Sequence, residues 1–469
     1  MSGARHLNRR ELLAAAVAGG AVAGLGTAGA ADTSATGGVY DVIVIGGGFA
    51  GVTAARNLGW VGRRTLLLEA RARLGGRTFT SKYAGHSVDL GGTWVGLEQP
   101  FVTAERMRYG IGVAESAVYS AGERGIYVAG GKRYDRPIGE YSELFNTCMA
   151  RYMAPAREAF PRAFEPFFGD AWKQYDNVSS LEALDALKLP QPAYDVTASL
   201  AAVNGNSYLD RISYLDQLKW YALGGYDPAR LFDNLGRFRV EGGTKRLLTA
   251  IAQDIRGDVR LGAPVASVTK DGEHYAVTTQ DGDTFVARAI LVAVPLNVLA
   301  SIRFEPALSA AKAAASRERI TGAGTKFYAR LKGTHPVFIA QGPEKNALNF
   351  LWTEYLDADS QIVVAFGPDP KRLDINDIAA VRAAVQQFVP DAEVIDSVGY
   401  GWNEDPYSQG TWCMYRPGFF GKYLRELQTP EGRVYIAGAD VADGWRGFID
   451  GAIESGSRNA ELAHRALGA

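Results

Sequence analysis

The chain has 469 residues, 47% of them hydrophobic and 22% charged, and a net charge of −1. That length implies about two or three domains with ample core, and the near-neutral balance leaves no electrostatic case for a nucleic acid or an anionic membrane surface as partner. Two cysteines, Cys148 and Cys413, exclude a disulfide framework, and the five histidines show no metal-ligand spacing, so no metal is expected.

In chain order, residues 1–30 come first. Asn8-Arg9-Arg10-Glu11-Leu12-Leu13 opens an Ala/Gly/Val run that is too interrupted by glycine to insert stably in a membrane. Paired arginines, a weak apolar core and small residues at Ala28 and Ala30 resemble a twin-arginine export signal. The expectation is an exported protein, periplasmic or extracellular, which stays cytoplasmic if the signal is not used. A disordered basic tail is the plainer alternative. Residues 31–38 read as a linker.

Asp41 to Glu69 is the most informative unit. Asp41-Val42-Ile43-Val44-Ile45 reads as a buried parallel strand, Gly46, Gly48 and Gly51 form G-x-G-x-x-G, a helix runs from about Phe49 to Leu58, and Thr65–Leu68 is a second strand ending in Glu69. Gly46 permits the tight turn, Gly48 lets backbone approach a pyrophosphate, and Gly51 lets the helix pack on the strand. The helix N-terminus offers free N–H groups to phosphate. An acid at position 69 suits ribose hydroxyls and argues against a 2′-phosphate, which leaves NAD and FAD as candidates. Arg71, Arg73, Gly75, Gly76 and Arg77 follow at once. They suit a second pass of backbone over the pyrophosphate, or else form a solvated basic loop.

Val88-Asp89-Leu90 leads into Gly91-Gly92-Thr93-Trp94. From about Phe101 to Tyr221 the pattern is mostly helical and rich in aromatics. A helix follows Gly242-Gly243, from about Lys245 to Asp254. Short strands then alternate with the hairpin signals Asp271-Gly272 and Asp281-Gly282. Ala289–Val294 reads as a buried strand ending at Pro295. Residues 320–400 add strands and a helix near Ile378 to Phe388. Arg433–Asp440 reads as a strand ending in Gly-Ala-acid, followed by a helix to about Leu467. The fold class is α/β: a discontinuous Rossmann-like dinucleotide domain (39–100, 238–300, 405–469) with an inserted α+β substrate domain (101–237, 301–404).

The stretch EARARLGGRTFT, from Glu69 to Thr80, together with the Gly-Ala-acid motif near the C-terminus, resembles the flavin amine oxidase family, which includes monoamine, polyamine and L-amino-acid oxidases. Within it, RLGGRTFTS, Val294–Asn297 and Trp402-Asn403-Glu404-Asp405-Pro406-Tyr407-Ser408 look nearest to bacterial nicotine and pseudooxynicotine oxidoreductases. The resemblance implies FAD. It places Gly46, Gly48, Ala50, Gly51, Glu69, Ala70, Arg71, Gly76, Arg77, Gly92, Thr93, Trp94, Val265, Trp402, Ala439, Asp440, Phe448 and Ile449 around the cofactor. Asp440 stands where most relatives carry Glu.

The resemblance also assigns three residues to the chemistry. Lys326 falls where a lysine holds a water beside flavin N5, and Trp412 and Phe448 fall at the two walls of an aromatic cage. From pattern alone, Lys326, Tyr328, Arg330 and Lys332 share a strand face that would equally be solvated, and Trp412 and Phe448 would equally be core. Thr411 falls where some relatives carry a flavin-linked cysteine, so FAD is expected to be noncovalent.

The implied reaction takes hydride from the α-carbon of a neutral amine to the flavin, and the imine product hydrolyses to an aldehyde or ketone. O₂ is the expected acceptor, giving H₂O₂. A cytochrome-like protein acceptor is the first alternative. An amino-acid oxidase, with Arg446 as candidate carboxylate partner, and a non-catalytic flavin-binding protein are the others. A homodimer is among the assemblies the resemblance allows.

Overall fold

Buried β-branched runs bounded by glycine turns build the first of two large sheets. The computed structural model describes residues 38–468; the expected leader, residues 1–30, and the expected linker up to residue 37 lie outside the described residues. Strand Tyr40–Ile45 has buried residues on both faces, as a central parallel strand requires. It pairs in parallel with Thr65–Glu69 on one side and Thr284–Val292 on the other. The eight-stranded order runs Arg303–Glu305, Val265–Asp271, His274–Thr279, Thr284–Val292, Tyr40–Ile45, Thr65–Glu69, Asp258–Leu261, with Val434–Ile436 also pairing on Thr284–Val292. Both Asp-Gly signals form hairpins, and Gly272 and Gly282 have positive φ. Arg303–Glu305 belongs to this sheet, three residues past the boundary at 300 read from sequence.

Helix Phe49–Trp60 follows the first strand and crosses the C-terminal helix Ile449–Ala466. The crossing is tight: a Cβ on Gly456 would lie 2.3 Å from the Ala50 carbonyl oxygen.

The second sheet has seven strands, in the order Val394–Gly399, Thr325–Lys332, Ser360–Gly367, Phe350–Leu356, Phe338–Gln341, Arg124–Ala129, Lys132–Pro137. The last two are a correction to the sequence reading, which expects mostly helix there. Gly130 and Gly131, at φ +56° and +74°, close a two-residue hairpin with Ala129 opposite Lys132, the turn geometry that matches strand twist. Helices Ala193–Gly205 and Tyr214–Leu223 are almost wholly buried. Among the described residues no helix is long and apolar enough to cross a membrane.

Candidate active site

The first turn after strand Tyr40–Ile45 is shaped for a dinucleotide. Gly46 has φ +105°, and a Cβ there would lie 2.6 Å from the Ala293 carbonyl oxygen. A Cβ on Gly51 would lie 1.9 Å from the Gly46 oxygen, so helix and turn meet backbone to backbone. Gly47, the unspecified position of the motif, is also close to its neighbours: its Cβ would sit 2.5 Å from a Leu74 methyl and 3.1 Å from Glu69 Cβ. Its N–H donates to Glu69 Oε2 at 2.7 Å, and Arg71 N–H donates to Oε1 at 2.8 Å. Two bonds leave free lone pairs on that carboxylate for ribose hydroxyls. Helix Phe49–Trp60 starts at Gly48 with no side-chain cap, so its first N–H groups stay available to phosphate.

The arginines after Glu69 are a built network rather than a solvated loop. Arg71 donates to Asp405 Oδ1 at 2.5 Å and Ser408 Oγ at 2.8 Å. Burial alone would raise the Asp405 pKa, yet hydrogen bonds from Tyr400 and Arg71 hold it below its ordinary value. Arg73 ties its own loop through the Thr78 and Gly76 carbonyls. Arg77 donates to Asp440 Oδ1 at 2.6 Å and the Thr411 carbonyl at 2.9 Å. Asp440 Oδ2 also accepts from Leu296 N–H at 2.9 Å.

One cavity runs from this turn into the second sheet and holds about 2160 Å³ of empty space, its mouth included. Gly46, Gly48, Ala50, Glu69, Ala70, Arg71, Gly76, Arg77, Gly92, Thr93, Trp94, Val265, Trp402, Ala439, Phe448, Ile449, Lys326 and Trp412 all line it. Gly51 and Asp440 do not. Gly51 lies behind the turn, and Asp440 meets the wall through its bond to Arg77.

The inner wall is set by strand register. Lys326 lies opposite Phe366, which lies opposite Phe350. Two residues on, Tyr328, Val364 and Trp352 form the next row. The strand emerges from the core along its length: Lys326 and Tyr328 are buried, Arg330 half-buried, Lys332 exposed. The Lys326 ammonium donates to the carbonyls of Asp89 and Gly91, each at 2.8 Å, and to Thr93 Oγ1. It lies 4.5 Å from the Trp94 ring. Burial pushes its pKa down to about 7, against the opposing pull of Asp89 and Glu354. All three of its N–H groups face protein acceptors at the cavity wall.

Sequence reasoning missed Trp220, Trp352, Phe350, Phe366, Tyr119 and Asn204, which line the same end. The period-2 run Phe350, Trp352, Glu354 was the available signal. Glu354 is fully buried and accepts from Trp352 Nε1 at 2.7 Å and Ser116 Oγ at 2.9 Å. Phe448 packs edge to face on Trp220, 4.8 Å between centroids, and Trp412 on Phe366 at 6.2 Å.

Arg446 is a correction. It points away from the cavity into a pair with Asp216, both side chains 3% exposed, so it meets no substrate carboxylate. Cys413 is buried behind the wall, with its thiol pKa raised by burial. Thr411 lines the cavity and its Oγ1 accepts from Asn206 Nδ2 at 2.9 Å. With no thiol on the wall, acid precipitation is expected to release all the flavin colour into the supernatant. Colour kept in the pellet would show a covalent link and refute this placement of Thr411.

A dinucleotide turn at the carboxyl ends of parallel strands, opening into an aromatic-lined chamber, defines an enzyme site built around a bound dinucleotide. Residues 49–464 match the model of the flavin containing amine oxidoreductases, and the chain belongs to that family. It is 41% identical to a pseudooxynicotine dehydrogenase of Pseudomonas sp over 468 residues, covering 96% of this chain and 94% of the relative. It is 36% identical to a nicotine dehydrogenase of Pseudomonas putida, covering 96% of each. Among solved structures, putrescine oxidase bound to putrescine shares the fold at TM-score 0.78 and 21% identity, covering 90% of this chain and 98% of that one. The protein is an FAD-dependent oxidoreductase acting on amines. The residues present fit that cofactor: the Gly48 and Gly76 backbones approach each other closely beside the cavity, where a Cβ on Gly76 would lie 3.3 Å from Gly48 Cα, so both turns present bare backbone to a pyrophosphate.

Proposed function

We propose that the substrate is an uncharged primary or secondary amine carrying an apolar, aromatic-sized group, and that a redox protein rather than O₂ takes the electrons. The observation that carries the substrate reading is the chamber wall: Trp220, Phe350, Trp352, Phe366, Trp412 and Phe448 line it, and the only arginines that line it among the described residues, Arg71 and Arg77, are committed to Asp405 and Asp440 on the dinucleotide side. A substrate carboxylate would find no guanidinium there, which disfavours an amino acid.

Bound FAD supplies a hydride acceptor for the α-carbon of the amine. The chain supplies the rest. Trp412 and Phe448 hold the amine and keep water away, and exclusion of water favours the neutral form that can expel hydride. Glu354 fixes the Trp352 indole through its N–H. Lys326 ties Gly91 and Thr93 to the inner sheet.

The acceptor reading rests on the relatives. Two relatives are named dehydrogenases. The oxidase reading, with O₂ as acceptor, keeps support from the shared fold of putrescine oxidase.

Anaerobic mixing with arylalkylamines, followed by admission of air, tests both parts. Bleaching of the visible flavin band and slow return of colour in air are expected. Rapid return would restore O₂ as acceptor. No bleaching by any amine would remove the substrate reading and favour a non-catalytic flavin protein.

A further inference from the structure

Asn204 sits in the last turn of helix Ala193–Gly205, is 5% exposed, and lines the chamber. Its main-chain carbonyl accepts from Trp412 Nε1 at 2.7 Å. Its side-chain orientation is fixed by a relay that begins at a backbone group. Gln217, fully buried on helix Tyr214–Leu223, donates Nε2 to the Ala201 carbonyl at 2.9 Å. A carbonyl only accepts, so the Gln217 nitrogen must face it and Oε1 must face Asn204. Asn204 must then offer Nδ2, and does so at 2.9 Å. A flipped Asn204 amide would set oxygen against oxygen. Asn204 Oδ1 is left over and accepts no hydrogen bond among the described residues.

A preset acceptor in a chamber also lined by Trp220, Trp412 and Phe448 becomes costly to leave unpaired once a substrate displaces water from it. We propose that Asn204 Oδ1 accepts the N–H of the substrate amine, and so selects primary and secondary amines over tertiary ones. The proposal rests on the amine reading above. A neutral primary amine has two N–H groups and a secondary amine one. The acceptor takes one of these and leaves the nitrogen lone pair free to drive hydride loss. A neutral tertiary amine has no donor and strands Oδ1. Gln217, which does not line the chamber, is a positioning residue.

The test uses the FAD-loaded enzyme with one arylalkylamine as its primary, N-methyl and N,N-dimethyl forms, at a pH above the amine pKa. Binding is read from perturbation of the oxidised flavin spectrum and turnover from anaerobic bleaching. Wild type is expected to bind the dimethyl form about 10–100-fold more weakly than the N-methyl form. Asn204→Leu, of similar volume, should reduce that ratio to within about threefold, mostly through affinity rather than limiting rate. Gln217→Leu should shift it the same way by less. If Asn204→Leu loses its FAD, Gln217→Leu decides. Wild-type discrimination kept in Asn204→Leu, or kept in full in Gln217→Leu, overturns the proposal. Discrimination that disappears in binding while no amine bleaches the wild type would uphold the acceptor and refute turnover of this amine class.

Discussion

Gly48→Val is expected to give a folded protein without FAD. The backbone at Gly48 is ordinary extended chain, φ −76° and ψ 180°, so a side chain brings no conformational strain. Its Cβ would meet nothing nearer than Gly76 Cα at 3.9 Å. The added methyls would instead stand over the first N–H groups of helix Phe49–Trp60, where a pyrophosphate must lie. FAD affinity should fall by at least about 100-fold, in line with the cost of overpacking a close backbone contact. The visible flavin band and turnover should vanish, while far-UV circular dichroism and the urea midpoint match apo wild type. Gly51→Ala is the contrast. Its Cβ would be driven to 1.9 Å from the Gly46 oxygen, so the strand–turn–helix unit itself should fail and soluble protein should be lost. A yellow Gly48→Val enzyme with full FAD content would show that the phosphates do not cross this turn.

Arg446→Met should destabilise the fold by about 3–5 kcal/mol, the usual cost of leaving one member of a buried ion pair alone. Arg446 and Asp216 are each 3% exposed. Burial works against the Arg446 charge, but the Asp216 carboxylate more than compensates and its pKa rises above the ordinary value. Asp216 also accepts from Tyr415 N–H at 2.6 Å, and the guanidinium lies 4.2 Å from the Tyr415 ring. Because Phe448 follows two residues later, loss of the pair should loosen one wall of the amine chamber and weaken substrate affinity as well. The denaturant midpoint should fall with an unchanged slope, and Asp216→Leu combined with Arg446→Met should recover most of the loss. An Arg446→Met protein that unfolds at the wild-type midpoint would refute the assignment of this pair as a structural anchor.

The sequence by itself determined the dinucleotide end. Strand, three glycines, helix, strand and Glu69 are contiguous, and each works through local geometry: a positive φ at Gly46, a helix start without a cap at Gly48, a close approach at Gly51. The turns at Asp271-Gly272 and Asp281-Gly282 were legible for the same reason. Tertiary structure decided the amine end, because its parts meet only through pairing between distant segments. Lys326, Phe366 and Phe350 form one row by strand register, and whether that face is wet or buried follows from what covers the sheet. Asn204 reaches the chamber through Gln217 and Trp412, the latter 208 residues away. Arg446 could not be oriented from sequence, since its direction depends on a buried carboxylate 230 residues earlier. Local backbone conformation is written in adjacent residues, whereas burial and long-range hydrogen bonding exist only once the chain has packed.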